Sequence, residues 1–383
     1  MWRFDQGRIE YFQFDEIRKL AKYAVAHDLK SSKRDPLVAA TGLPFLPASD
    51  DYPPWRNYSR VFRTAMLVAE INGSAKPTKI AYLLAEDGKI TSDEYFHFIV
   101  QTFTAPAPSF QEWKVTDSPR FPLLFALKFL LAKAVIGQNI VTYSDIISAY
   151  EVSGFDGDED QSAFIGIAKK SYSEADNRQA RESIQVISQI SYLSATSTAV
   201  TISLDTDTAL DVFEGLSAVR GPQAADRERE ILRLADLYEA AVSGIDLDYT
   251  NTAADQVIDA GFSEGTRVER THIVLERNAG VRSAFFAENP TAECDFCGRD
   301  TQAEFPWVDR VLDIHHVLPL CSGTRSNKKG TDLTDLVAVC PTCHRAVHRY
   351  YARWLKDAGR KDFVDANEAK AVYDAAKSDR KSH

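Results

Sequence analysis

No cysteine occurs in the first 293 residues of this 383-residue chain; all five lie between Cys294 and Cys343. A disulfide framework would spread them along the chain and suit an oxidising compartment, so their confinement argues against one. No run of eighteen uninterrupted apolar residues is present either. The longest apolar stretch, "FPLLFALKFLLAKAVIG", is broken by Lys128 and Lys133, which excludes an obvious membrane span. The opening "MWRFDQGRIEYF" lacks the apolar core of a signal peptide. These absences set the expectation of a cytoplasmic protein with no membrane partner. An excess of positive charge is missing too: the net charge is −10, which removes the simplest case for a nucleic-acid coat. The deficit is uneven, however. From Thr266 onward the chain has 19 basic and 17 acidic residues, whereas the preceding part has 26 and 38. Local patches decide binding at short screening lengths, so a negative total does not exclude DNA.

What is present is a chain too long for one core, with 44% hydrophobic and 26% charged residues, the composition of a multidomain globular protein. The expected fold class is multidomain α+β. Residues 1–115 read as an N-terminal recognition domain of mixed helical and extended pattern, 116–217 as a winged-helix DNA-binding domain, 218–265 as a helical linker and 266–383 as the C-terminal domain. In the first, "FDEIRKLAKYAVAH" has helical spacing. "VFRTAMLVAEINGSAKPTKIAYLLAEDGKI" reads as helix, turn and a second helix opened by Thr78, and "APAPS" (105–109) as an exposed loop or linker. In the second, a helix is followed by a short turn, a helix entered at Thr142, a long helix over about 174–192 and the strand-like "TAVTISL", the order of a winged helix. Arg178 and Arg181 open that long helix, where base contacts would fall. Generic α+β packing is the plainer alternative. The acidic loop "GFDGDEDQ" lacks the glycine and terminal glutamate of a calcium-binding loop and reads as solvated. For the cluster from Trp55 to Arg60, core packing of the aromatics is preferred to contact with a base.

The chemistry gathers near the C-terminal end. Cys294-x-x-Cys297 and Cys340-x-x-Cys343 are 42 residues apart, and two such knuckles make a tetrahedral four-thiolate set suited to a structural Zn2+. Either pair alone would pass for a redox dithiol. Cys321 falls outside the pairs. Four of the eight histidines lie at 315, 316, 344 and 348. "CHRAVHRYYARWLKD" reads as a helix, which puts His344 and His348 on one face. "RVLDIHHVLPL" reads as a strand in which His315 and His316 point opposite ways, so one can ligate an ion while the other faces substrate.

The elements "CDFC", "HHVLP" and "DLVAVCPTCHRAVH", in this order, resemble the HNH (ββα-metal) endonucleases, most nearly their McrA-like and other restriction-enzyme members. The resemblance covers roughly Glu276 to Tyr351, a fifth of the chain. It implies a C-terminal nuclease domain in which His316 is the general base and His315, His344 and His348 hold one catalytic divalent ion. The four cysteines match the structural zinc that some members add. Asp335 stands where the family name has Asn and is expected to orient the base. Three imidazoles would suit Zn2+, Ni2+ or Mn2+ as well as Mg2+. Arg345 and Arg349 on the metal-bearing helix, Arg282 upstream, and Arg325, Lys328 and Lys329 in the loop "CSGTRSNKKG" are candidate phosphate contacts, with solvated surface charge the alternative reading.

By this resemblance the chain is a double-stranded DNA endonuclease acting as a homodimer, with the upstream residues choosing the target. A modification-dependent (McrA-like) restriction enzyme is the preferred reading over a conventional one that reads unmodified DNA. From another class stands a non-catalytic zinc-containing DNA-binding regulator, and a nuclease for RNA or branched DNA is a further alternative.

Overall fold

A computed structural model describes residues 2, 4, 8–49, 53–204, 206–238, 285–319, 322 and 333–381. They form two compact units. The first holds the described residues up to 238 except Asp87–Thr91; the second holds those from 285 onward together with Asp87–Thr91. Among the described residues the architecture is mixed α+β, rich in helix, with three small antiparallel sheets. No helix among the described residues is long and apolar enough to cross a membrane.

The first unit begins with helices α1 (Phe14–Ala26), α2 (Arg34–Thr41) and α3 (Trp55–Thr64). Where the sequence pattern suggests helix, residues 68–77 form a hairpin of β1 (Val68–Ile71) and β2 (Ser74–Pro77), paired from Val68↔Pro77 to Ile71↔Ser74. Asn72 and Gly73 turn it with φ of 52° and 83°, the left-handed geometry that Asn-Gly supplies at low cost. Thr78 then opens α4 (Lys79–Ala85) as anticipated, its hydroxyl accepting from Ala81 N. α5 (Ser92–Thr102) is buried along its whole length. The "APAPS" segment is not the exposed loop expected: Ala105, Ala107 and Ser109 are buried, and Thr64 Oγ1 donates to Ser109 Oγ at 2.9 Å. Small residues there let the chain pass through the interior instead of over the surface.

α6 (Pro122–Val135) is buried from Pro122 to Ala134. The two lysines that break its apolar run are held inside the unit. Lys128 Nζ donates to Asp158 at 3.0 Å and Lys133 Nζ to Gln138 at 2.9 Å. The acidic loop is therefore not simply solvated, since Asp158 neutralises a buried lysine. Then follow β3 (Ile140–Thr142), α7 (Tyr143–Ser153), α8 (Gln161–Ala168), α9 (Arg178–Ile187), β4 (Leu193–Ala195) and β5 (Ala199–Ile202). The strands pair in the order β3-β5-β4, all antiparallel. α10 (Thr206–Gly215) and α11 (Arg227–Asp236) complete the described part of this unit. The aromatic cluster near Trp55 resolves toward packing: Tyr58 is buried, 5.0 Å from Tyr11 and 4.8 Å from Phe45 between ring centroids.

In the second unit residues 285–288 are helical, and α12 (Thr301–Glu304) follows. β6 (Asp313–His316) and β7 (Leu336–Val339) pair antiparallel from Asp313↔Val339 to His316↔Leu336. α13 (Pro341–Asp357) follows β7 directly, and α14 (Ala366–Lys381) packs beside it. The core is built from Leu312, Ile314, Val339, Val347, Tyr351 and Tyr373 together with three of the cysteines, Cys294, Cys340 and Cys343. The expected helices at 251–261 and over most of 269–286 lie outside the described residues.

Candidate metal centre

Two donor sets stand close together on one scaffold. Cys294 and Cys297 occupy a turn stabilised by Gly298 N donating to Cys294 O at 2.7 Å and Cys294 N donating to Arg299 O at 2.9 Å. Gly298 has φ 71°, a conformation that any side chain would strain. Cys340 lies just beyond β7 and Cys343 in the first turn of α13. The four sulfurs all lie within 4.8 Å of one another, and Cys340 N donates to Cys294 Sγ at 3.1 Å. None is in a disulfide. Burial pushes the Cys294 thiol up to about 11 and drives that of Cys343 up too, the neighbouring sulfurs adding to both. For Cys297, burial is outweighed by the Arg299 N–H and the surrounding thiols, and the net direction is down. Four sulfurs this close cannot all carry negative charge without a cation between them, and four thiolates at this spacing fit Zn2+.

The second set is His315, His344 and His348, whose nearest ring nitrogens also lie within 4.8 Å of one another. Their ring centroids are 5.2 Å (His315–His344), 4.9 Å (His315–His348) and 4.9 Å (His344–His348) apart. Helix periodicity brings the last two together, one turn apart on α13, while β6 delivers His315 against them. Three convergent imidazoles fit a divalent transition metal. His315 and His348 are buried, which shields such a centre from bulk water.

His316, next along β6, is also buried, and strand alternation sends its side chain to the other face from His315. Asp335 ends the 3-10 turn Leu333–Asp335 ahead of β7. Its carbonyl accepts from Val317 N at 3.0 Å, which fixes the backbone beside His316. One functional candidate escapes a motif reading. Asp313, two residues before His315 and so on the same strand face, places Oδ2 at 3.2 Å from His344 Nδ1. A carboxylate there holds the ring so that Nε2 is the nitrogen left to face an ion. The i, i+2 spacing to His315 was the available signal.

The basic candidates divide. Arg345 and Arg349 are exposed on α13, and Arg353, unremarked in the motif, continues the same i, i+4 stripe. In the first unit Arg178 Nε donates to Glu182 at 2.7 Å and Arg181 to Asp176 at 2.8 Å, so both guanidinium groups are held by local carboxylates. Arg282, Arg325, Lys328, Lys329 and Cys321 lie outside the described residues.

Comparison with known proteins adds one partial relative. Over 108 residues the chain is 34% identical to the type IV methyl-directed restriction enzyme EcoKMcrA of Escherichia coli (strain K12). The match covers 28% of this chain and 36% of that protein. No family model matches the chain, and no solved structure gives a significant match.

Proposed function

We propose that this chain is a metal-dependent DNA endonuclease of HNH type, in a restriction enzyme of the modification-dependent, McrA-like kind. The observation that carries the reading is the separation of seven ligands into a four-sulfur set and a three-imidazole set on one strand-pair-and-helix scaffold. Partial similarity to a methyl-directed restriction enzyme supports the same direction.

In this reading Cys294, Cys297, Cys340 and Cys343 hold structural zinc, and His315, His344 and His348 hold the catalytic ion. A divalent ion there supplies charge stabilisation to the scissile phosphate. His316 takes a proton from the attacking water, a task suited to a neutral imidazole near pH 7. Asp335 positions that base through the backbone clamp on Val317, and Asp313 orients His344. Arg345 and Arg349, extended by Arg353, track phosphates, as do Arg282, Arg325, Lys328 and Lys329. Residues 266–383 are the nuclease domain, 218–265 a helical linker, and residues 1–115 and 116–217 the recognition domains.

The strand order β3-β5-β4 with α9 leading into β4 favours a winged helix in 116–217. Helix α9 would then present Arg178 and Arg181 to double-stranded DNA, exchanging their carboxylate partners for the duplex. One nuclease centre per chain calls for a homodimer to cut both strands. A regulator with inert histidines would leave the convergence of three imidazoles and Asp313 without purpose.

The test digests methylated and unmethylated copies of one plasmid in Mg2+, Mn2+ or Ni2+ with wild type and His316→Ala. The expected outcome is cutting of methylated DNA alone, reduced at least about a hundredfold in the variant. Discrete ends on unmethylated DNA would favour the conventional restriction enzyme. No cutting under any metal or methylation state would refute the nuclease.

A further inference from the structure

Tyr373, on α14, lies against His315 and against the turn between Cys294 and Cys297. Its side chain is fully buried. Its ring lies nearly parallel to that of His315, at 21° with centroids 5.9 Å apart, and meets the Phe296 ring edge-on at 5.7 Å. Its hydroxyl donates to Asp295 Oδ2 at 2.7 Å. Asp295 and Phe296 are the two residues between Cys294 and Cys297, so both contacts fall inside the cysteine knuckle. The carboxylate is held from a second side by Lys377 Nζ, which donates to Oδ2 at 3.0 Å, and the backbone of Asp295 is fixed by its N–H donating to Ala338 O at 2.7 Å. Ala338 pairs with Ile314, the residue before His315.

We propose that Tyr373 is a positioning residue that couples the two metal centres, so that zinc in the cysteine knuckle sets the affinity of the histidine site. The inference rests on the reading of His315, His344 and His348 as a divalent-ion site. The physical route is short. Zinc fixes the Cys294–Cys297 turn; the turn fixes Asp295; Asp295 fixes the phenol; and the phenol face limits the tilt of the His315 ring. A ligand whose ring orientation is set beforehand costs less entropy to bind an ion. Without its Asp295 anchor the phenol can slide, and His315 samples orientations that point its nitrogen away from His344 and His348.

The experiment uses full-length chain with one zinc per molecule in the cysteine site and titrates Co2+ into the histidine site, following the visible cobalt absorption. Wild type is compared with Tyr373→Phe, which keeps the ring and loses the anchor, and with Asp295→Ala, which removes the anchor from the other end. Both variants should weaken Co2+ binding by roughly tenfold, the lower end of the effect of groups that orient a ligand. Both should retain one zinc and wild-type helix content, which a merely structural loss would not. Tyr373→Leu should weaken it further. Should either anchor variant shed its zinc, the other decides. Unchanged Co2+ affinity in a variant that keeps its zinc would overturn the coupling. Failure of zinc-loaded wild type to bind Co2+ at all would instead overturn the histidine site, and the coupling with it.

Discussion

His97 shows how far burial governs a single side chain in the first unit. It is completely buried on α5, with Nδ1 2.8 Å from Asp93 O and Nε2 2.8 Å from Tyr192 Oη. Burial holds its imidazole down at about 4, against an ordinary 6.5, the contact with the Asp93 carbonyl opposing. Between those values the unfolded chain binds a proton that the folded chain refuses. Stability is therefore full above pH 6.5 and falls as the pH drops toward 4, by about 3 kcal/mol. Urea unfolding midpoints across this range should show the decline, and His97→Gln should flatten it. A wild-type slope unaltered by the substitution would place the titration elsewhere. The same residue-level logic separates Cys343 from His344. They are adjacent in sequence, yet one joins the sulfur set and the other the imidazole set.

At the scale of elements, capping signals were the most legible. Thr142, read from sequence as a helix entrance, accepts from Asp145 N at 3.1 Å at the start of α7. Thr142→Ala should cost about 1 kcal/mol of stability, read by thermal or urea unfolding, because the Asp145 N–H then has only water to bond. No loss would mean that β3, not the cap, fixes the entry of α7. The elements that carry the two donor sets are equally legible. β6 runs Asp313–His316 and α13 runs Pro341–Asp357, as alternation and the i, i+4 histidine spacing suggest. The hairpin at 68–77 was not read, although Asn72-Gly73 is a strong local signal. Flanking residues such as Leu67, Ala69, Ala75 and Ala81 suit helix or strand alike, and tertiary burial decides between them. "APAPS" was misjudged for a related reason: proline and small residues mark a chain that leaves regular structure, not one that leaves the core. Tyr373 is beyond reach of a sequence reading because its role depends on a contact 78 residues away in the chain, whereas Asp313, whose partner is 31 residues away, is marked only by its i, i+2 spacing to His315.

Over the whole molecule, charge and chemistry are unequally shared. The acidic excess lies before Thr266, while the seven candidate ligands lie after Glu293. The first unit is organised by an extensive apolar core in which buried Lys128 is neutralised by Asp158 and buried Glu230 by Arg233. The second has fewer buried side chains and two donor sets, which suits a domain that metal helps to fold. In the proposed function one chain carries two centres of different purpose, and adjacent residues test that division. Native mass spectrometry should count two ions per wild-type chain. His344→Ala should keep one zinc and its helix content while losing DNA cleavage, whereas Cys343→Ala should lose the zinc together with the fold of the second unit. Equal loss of metal and of fold in both variants would contradict the division into a structural and a catalytic site.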